Sequence, residues 1–118
     1  MQKITTDKMQ ETLFNSWSIH SSTLWTTDNP AAGHCGVTAL VVNDILGGDI
    51  VKTRYGNIWH FYNRINTEIF DFTKSQFNQP IEYKSQISDR DEAFSDTNKE
   101  QYQYLKSHTR ALLRMSRN

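Results

Sequence analysis

The strongest constraint on the fold is a nearly continuous apolar run in the first half of the chain. Across residues 36–46, polar side chains occur only at Thr38, Asn43 and Asp44. Periodicity alone does not separate a buried strand from a buried helix in such a run, but its length favours a helix. Two glycines follow at 47–48, and glycine accepts the left-handed conformation that ends many helices. The run therefore predicts a central helix that is covered on most sides.

Length and charge restrict the domain organisation and the partners. The 118 residues correspond to a single domain spanning 1–118, and 13 basic residues balance 13 acidic ones. This balance argues against a nucleic-acid binder, which needs positive charge to neutralise phosphates. No run approaches the roughly 18 apolar residues of a membrane helix, and no secretory signal follows Met1. We therefore expect a cytoplasmic protein with no membrane partner, and the oligomeric state stays open.

Helical patterns also occur near both ends of the chain. An N-terminal helix is predicted with Thr6 as its cap. Its buried stripe is predicted to consist of Met9, Leu13, Phe14 and Trp17. Thr97 and Glu100 have the spacing of a capping box, in which the two side chains satisfy free amides reciprocally, and they predict the start of a C-terminal helix.

Aromatic and β-branched residues predict three strands between these helices. The segments are residues 49–55, 57–65 and 68–73. Together the patterns predict a small α+β domain. In it, the central helix led by Cys35 packs on a small antiparallel sheet, with helices from both ends of the chain flanking it.

Cys35 lies at the predicted start of the central helix. Unpaired amides and the positive end of the helix dipole favour a thiolate there, so we expect a lowered thiol pKa. The flanking Gly33 and Gly36 would let a substrate approach the backbone closely. The backbone N–H of Cys35 can also stabilise a developing oxyanion. These features predict Cys35 as a nucleophile.

The hairpin that follows brings a histidine and a carboxylate together. A two-residue turn at 66–67 would pair His60 with Thr73 and Tyr62 with Asp71. Because side chains alternate along a strand, these residues share one polar face. The Cβ atoms of His60 and Asp71 would lie within about 7–8 Å of each other. We expect this face to look toward the start of the central helix.

Cys35, His60 and Asp71 together predict a catalytic triad. His60 would take the thiol proton, and Asp71 would orient the imidazole. The predicted substrate-binding residues are Trp25, His34, Gly36 and Tyr62. A lone cysteine excludes a disulfide and a multi-cysteine zinc site, and we expect neither a metal nor another cofactor. Two alternatives remain: an inactive binding or interaction module, and a redox sensor that needs the thiolate but not the hairpin.

Several segments resemble the YunG-like family of small bacterial proteins. They are residues 29–44 with the glycines at 47–48, Trp59-His60-Phe61-Tyr62-Asn63-Arg64, and Asp71-Phe72-Thr73 with Gln76-Phe77. The resemblance covers roughly residues 12–115, and it leads us to expect Gln where His34 precedes the Cys. The helix–strand–strand order is also similar to the papain-like and transglutaminase-like superfamily. That similarity implies a papain-like, cysteine-proteinase-like fold and a thiol hydrolase or acyl transferase. The implied substrate is an amide or ester of a small molecule or peptide.

Overall fold

The computed structural model describes residues 4–115, which form helices packed on an antiparallel sheet. The helices are α1 (Thr6–Ser16), α2 (Cys35–Leu46), α3 (Arg90–Phe94) and α4 (Lys99–Met115). The strands are β1 (Asp49–Tyr55), β2 (Ile58–Ile65), β3 (Glu68–Phe70) and β4 (Gln86–Ile87), in the sheet order β3-β2-β1-β4. The predicted α+β class is confirmed, whereas β4 and α3 were not predicted.

The β2–β3 hairpin has the predicted register but is shorter than predicted. Asn63 pairs with Phe70 and Ile65 pairs with Glu68. The two residues between the strands, Asn66 and Thr67, have φ angles of 50° and 70°, which a tight hairpin turn of this kind requires. β3 ends at Phe70 rather than at residue 73, so Asp71 belongs to the loop that follows the strand.

The central helix α2 packs on one face of the sheet. Phe61 of β2 lies in the hydrophobic core together with Val37 and Leu40 of α2. The buried Asn63 side chain lies on the same face and donates to the Ala39 carbonyl at 3.1 Å. Because a buried amide without a partner would be costly, this bond fixes α2 against β2.

A long loop covers the opposite face of the sheet. Thr53 donates to the Glu82 carbonyl at 2.6 Å, and the Tyr62 hydroxyl lies 3.0 Å from the Ser85 hydroxyl. His60 projects to this face together with Tyr62, since their rings stack with centroids 5.6 Å apart. The expectation that the polar hairpin face looks toward the start of α2 is therefore corrected: α2 packs on the Phe61 face instead.

Helix ends and one stripe residue also differ from prediction. Thr5 rather than Thr6 caps α1, because its hydroxyl accepts from the Lys8 amide at 3.1 Å. Asn98 rather than Thr97 accepts from a first-turn amide of α4, that of Gln101, at 2.9 Å. Phe14 is 55% exposed, so it lies outside the buried stripe of α1.

Candidate active site

Cys35 is the first residue of α2, and its partner is a carboxylate. Its thiol donates to Asp96 Oδ2 at 3.4 Å, and the same oxygen accepts the Gly36 amide at 3.0 Å. Asp96 thus caps the start of α2 from the turn between α3 and α4. The close approach depends on glycine at position 36, because a Cβ there would lie 2.7 Å from Oδ2.

The thiol pKa has the opposite shift from the one predicted. Burial raises the pKa of Cys35, and the negative charge of Asp96 raises it further. The backbone N–H groups of Phe61 and Gly36 act in the other direction but are weaker. Because only 5% of Cys35 is exposed, the loss of hydration outweighs the favourable end of the helix. The structure therefore holds Cys35 as a neutral thiol.

The pKa of Asp96, next to Cys35, is also raised. Partial desolvation raises the pKa of this carboxyl above its ordinary value. Hydrogen bonds from Cys35 and Gly36, together with the charge of a protonated His60, offset only part of that shift. Asp96 is therefore electrostatically coupled to both the thiol and the imidazole.

His60 and Asp71 form a buried pair. His60 Nε2 donates to Asp71 Oδ2 at 2.7 Å, and the Tyr83 hydroxyl donates to the same oxygen at 2.7 Å. The Thr73 amide donates to the other carboxylate oxygen at 3.2 Å. Burial and the bond to Asp71 raise the pKa of Tyr83, so this phenol stays protonated and remains a donor. These donors fix the carboxylate, and the carboxylate fixes the ring.

The second nitrogen of His60 has no partner within the described part of the chain. Nδ1 is buried and makes no hydrogen bond. With Nε2–H donating to Asp71, Nδ1 is the ring nitrogen that is left to accept a proton. His60 and Asp71 are thus brought together as predicted, whereas neither His60 nitrogen is hydrogen-bonded to Cys35.

A cavity of about 420 Å³ opens beside Cys35. Its apolar wall consists of Leu24, Ile58, Trp59 and Phe61. Its remaining lining residues are Gly33, Cys35, Gln76, Ser95 and Asp96. The volume and the mixture of apolar wall and few polar groups are typical of a small-molecule site.

The four predicted substrate-binding residues lie outside this lining. Trp25 packs against the hydrophobic core, and the buried Tyr62 is bonded to Ser85. His34 is fully buried and stacks on Trp17, with ring centroids 5.3 Å apart. Gly36 could offer a ligand only its backbone N–H, and that group already donates a hydrogen bond to Asp96. A substrate-binding role of these four residues therefore stays a prediction, and none of them lines the cavity.

Two residues at the site, Asp96 and Gln76, were not predicted from the sequence. Asp96 lies in a charged segment without periodicity, so no local pattern distinguishes it from its neighbours. Gln76 accepts from the Gly33 amide at 3.2 Å and donates to the Thr73 hydroxyl at 3.1 Å. It thereby connects the cavity wall to the loop that holds Asp71. Its only sequence signal is the resemblance, which includes Gln76.

Residues 4–115 contain neither a cluster of metal-ligand side chains nor a helix that could span a membrane. Within residues 4–115, no group of three or more His, Cys, Asp or Glu side chains is arranged to hold a metal ion. No helix in the same residues has the length and apolar character needed to cross a bilayer.

Replacing Asp96 with Asn is expected to speed alkylation of Cys35 by iodoacetamide roughly 10-fold at neutral pH, since one pKa unit changes the thiolate fraction by that factor. The amide keeps a similar shape but removes the negative charge beside the sulfur. Intact-mass spectrometry over time measures the rate. Asp91→Asn, at an exposed position of α3, is the matched loss of charge and should leave the rate unchanged. An unchanged or slower rate in Asp96→Asn would contradict the electrostatic explanation.

Comparison with known proteins identifies relatives along most of the chain. The family model described as YunG protein matches residues 5–114. The chain is 57% identical over 94 residues to a Bacillus subtilis (strain 168) protein described as uncharacterized protein YunG, an alignment that covers 80% of this chain and 82% of the relative. No solved structure matches the chain. Since the family model covers nearly the whole chain, the protein belongs to the YunG family.

Proposed function

We propose that this protein is a papain-like cysteine enzyme that hydrolyses or transfers acyl groups at an amide or ester. Cys35 is the nucleophile, His60 the base, and Asp71 the residue that orients the base. The observation that carries the proposal is the His60–Asp71 pair, whose 2.7 Å bond leaves Nδ1 buried and without a partner. A base that is oriented by a carboxylate and has its other nitrogen free is what a nucleophilic triad requires.

Two shared neighbours support the assignment of Cys35 to the same site. The Phe61 amide favours the Cys35 thiolate, and Phe61 follows His60 directly in β2. Asp96 accepts a hydrogen bond from the Cys35 thiol, and a charge on His60 would lower the pKa of this same carboxyl. Among residues 4–115, β3 pairs with β2 only as far as Asn63, and no other strand pairs with Phe61 on that side. The proposal therefore requires the Cys35 sulfur to turn from Asp96 past this strand edge toward the His60 imidazole.

The proposed reaction begins when the Cys35 thiol breaks its hydrogen bond to Asp96 and forms one to His60 Nδ1. The thiol proton passes to Nδ1, and the sulfur forms a bond to the carbonyl carbon of the substrate. The carbon–nitrogen or carbon–oxygen bond then breaks, and the leaving group takes the proton from Nδ1. Water or another nucleophile, deprotonated by His60, attacks the thioester and releases the acyl group with return of the thiol. Hydrolysis, deamidation and acyl transfer share the first half of this sequence.

A binding or interaction module without catalysis is the second candidate. It is favoured by the Cys35–Asp96 hydrogen bond and by the raised thiol pKa, both of which suit an inert thiol. The same shift argues against a redox sensor, which depends on an accessible thiolate. In either function we place the protein in the cytoplasm, where its single free cysteine stays reduced.

Trapping of an acyl-enzyme tests the proposed function. The full chain is mixed with p-nitrophenyl acetate, quenched in acid and measured by intact mass and peptide mapping. The expected result is a single acetyl group on Cys35 that disappears with time, and no such adduct in Cys35→Ser. If the wild-type chain forms no Cys35 adduct and releases p-nitrophenolate no faster than Cys35→Ser, the enzyme proposal fails and the binding module gains.

A further inference from the structure

The wall of the Cys35 cavity combines apolar side chains with an acidic one. Large apolar side chains form most of it, and Asp96 is its one charged member among the described residues. Leu24 and Ile58 are 65% and 51% exposed even though both belong to this wall. Exposed apolar groups beside a cavity are typical of surfaces that a ligand covers. The wall therefore suits a ligand with an apolar body.

Asp96 has bonding capacity that the protein does not use. Its Oδ2 receives both the Cys35 thiol and the Gly36 amide, whereas no hydrogen bond from the described residues reaches Oδ1. A carboxylate oxygen accepts strong bonds from charged donors, and it is repelled by other anions. The unused oxygen therefore favours a ligand with a cationic donor.

Two basic side chains lie over the Trp59 ring of this wall, and neither is paired with Asp96 in the described structure. Lys52 lies over the Trp59 ring, with Nζ 4.3 Å from the centroid, but it is paired with Glu92 at 2.8 Å. Arg54 also lies over Trp59, at 4.1 Å, and donates to the Asn57 carbonyl. Neither forms an ion pair with Asp96, so the acid stays available inside the cavity.

We infer that the cavity binds a molecule that carries a protonated amine on an apolar group. Asp96 receives the amine through Oδ1, and the apolar group packs on Trp59 between Leu24 and Ile58. The inference rests on the proposed function in one respect, because it takes the Cys35 cavity as the substrate site. Since Sγ lies 3.4 Å from the Asp96 carboxylate, the amine would be held next to the sulfur. It thus belongs to the part of the substrate close to the scissile bond.

Binding of three matched probes tests this inference. The Cys35→Ser chain is titrated with 2-phenylethylamine, 2-phenylethanol and 3-phenylpropionate, and binding is followed by calorimetry and by NMR shifts of the Trp59 indole. The Ser variant keeps a donor to Asp96 but forms no thioester. We expect the amine to bind about tenfold tighter than the alcohol, the advantage of one charged hydrogen bond, and the carboxylate to bind weakest.

Two variants then assign the preference to Asp96. In Asp96→Asn, amine and alcohol should bind within about twofold of each other, whereas Asp91→Asn should keep the full preference. The inference is overturned if the alcohol matches the amine in the parent chain, if the carboxylate binds best, if none of the three saturates, or if Asp91→Asn loses the preference as well. Acyl-enzyme formation without amine preference would reject only this inference. Amine preference without acyl-enzyme formation would reject only the enzyme.

Discussion

His60→Ala is expected to slow acylation of Cys35 by p-nitrophenyl acetate by at least about 100-fold, the lower range for loss of a general base. In the proposed reaction the wild-type ring takes the thiol proton at Nδ1 while Asp71 holds Nε2. Without the ring no base replaces it, because the thiol donates to Asp96, whose negative charge raises the thiol pKa. Stopped-flow release of p-nitrophenolate measures the rate, and intact mass confirms the modified residue.

Two controls separate a catalytic role of His60 from a structural one. His108→Ala removes an exposed ring of α4 and should leave the rate unchanged. Free imidazole should restore part of the rate in His60→Ala, because the missing ring leaves space for a base of the same shape. If His60→Ala acylates at the wild-type rate while its near-ultraviolet spectrum stays native, His60 is not the base.

The central helix and the hairpin could be predicted because their signals are local. The apolar run with glycines after it determines α2, and β1 has the predicted bounds of residues 49–55. The turn at Asn66 and Thr67 determines the register that brings His60 near Asp71. Alternation along a strand also separates its two faces correctly, but it does not say which face the helix covers. In the structure, α2 covers the face that carries Phe61 and Asn63, and the Asn63 amide donates to the Ala39 carbonyl of the helix.

The partner of Cys35 could not be predicted because it depends on a long-range contact. Asp96 comes from a turn that is 61 residues away, and its approach depends on the absence of a side chain at Gly36. The start of a helix favours a thiolate, but burial and the neighbouring carboxylate raise the thiol pKa by more. A thiol pKa predicted from a helix end alone is therefore incomplete, even where the helix itself is predicted correctly.

His34 shows how a residue next to the nucleophile can serve stability. Its ring is fully buried, stacks on Trp17 and shares a 2.7 Å hydrogen bond with Ser21. Burial lowers the pKa of His34 to about 4 from 6.5, although the carbonyls of Pro30 and Ala32 act in the other direction. The folded protein therefore keeps this ring neutral at pH values where an unfolded chain would protonate it.

Between pH 6.5 and pH 4, His34 is expected to remove about 3 kcal/mol from the free energy of unfolding. In this range the unfolded chain binds a proton at residue 34 and the folded chain does not, so stability falls as the pH falls. Above pH 6.5 the ring is neutral in both states and contributes no pH dependence. His34→Gln carries no ionisable group and should lack this part of the loss, so it becomes more stable relative to wild type as the pH falls.

Urea unfolding followed by tryptophan fluorescence at pH steps from 7 to 4 measures the difference between the two chains. His20→Gln makes the same change at an exposed ring and should follow the wild-type curve. Because Asp96 and other carboxyls titrate equally in all three chains, their contributions cancel in the comparison. Parallel curves for wild type and His34→Gln would mean that the buried ring does take up a proton in the folded state, with the stack on Trp17 accommodating its charge.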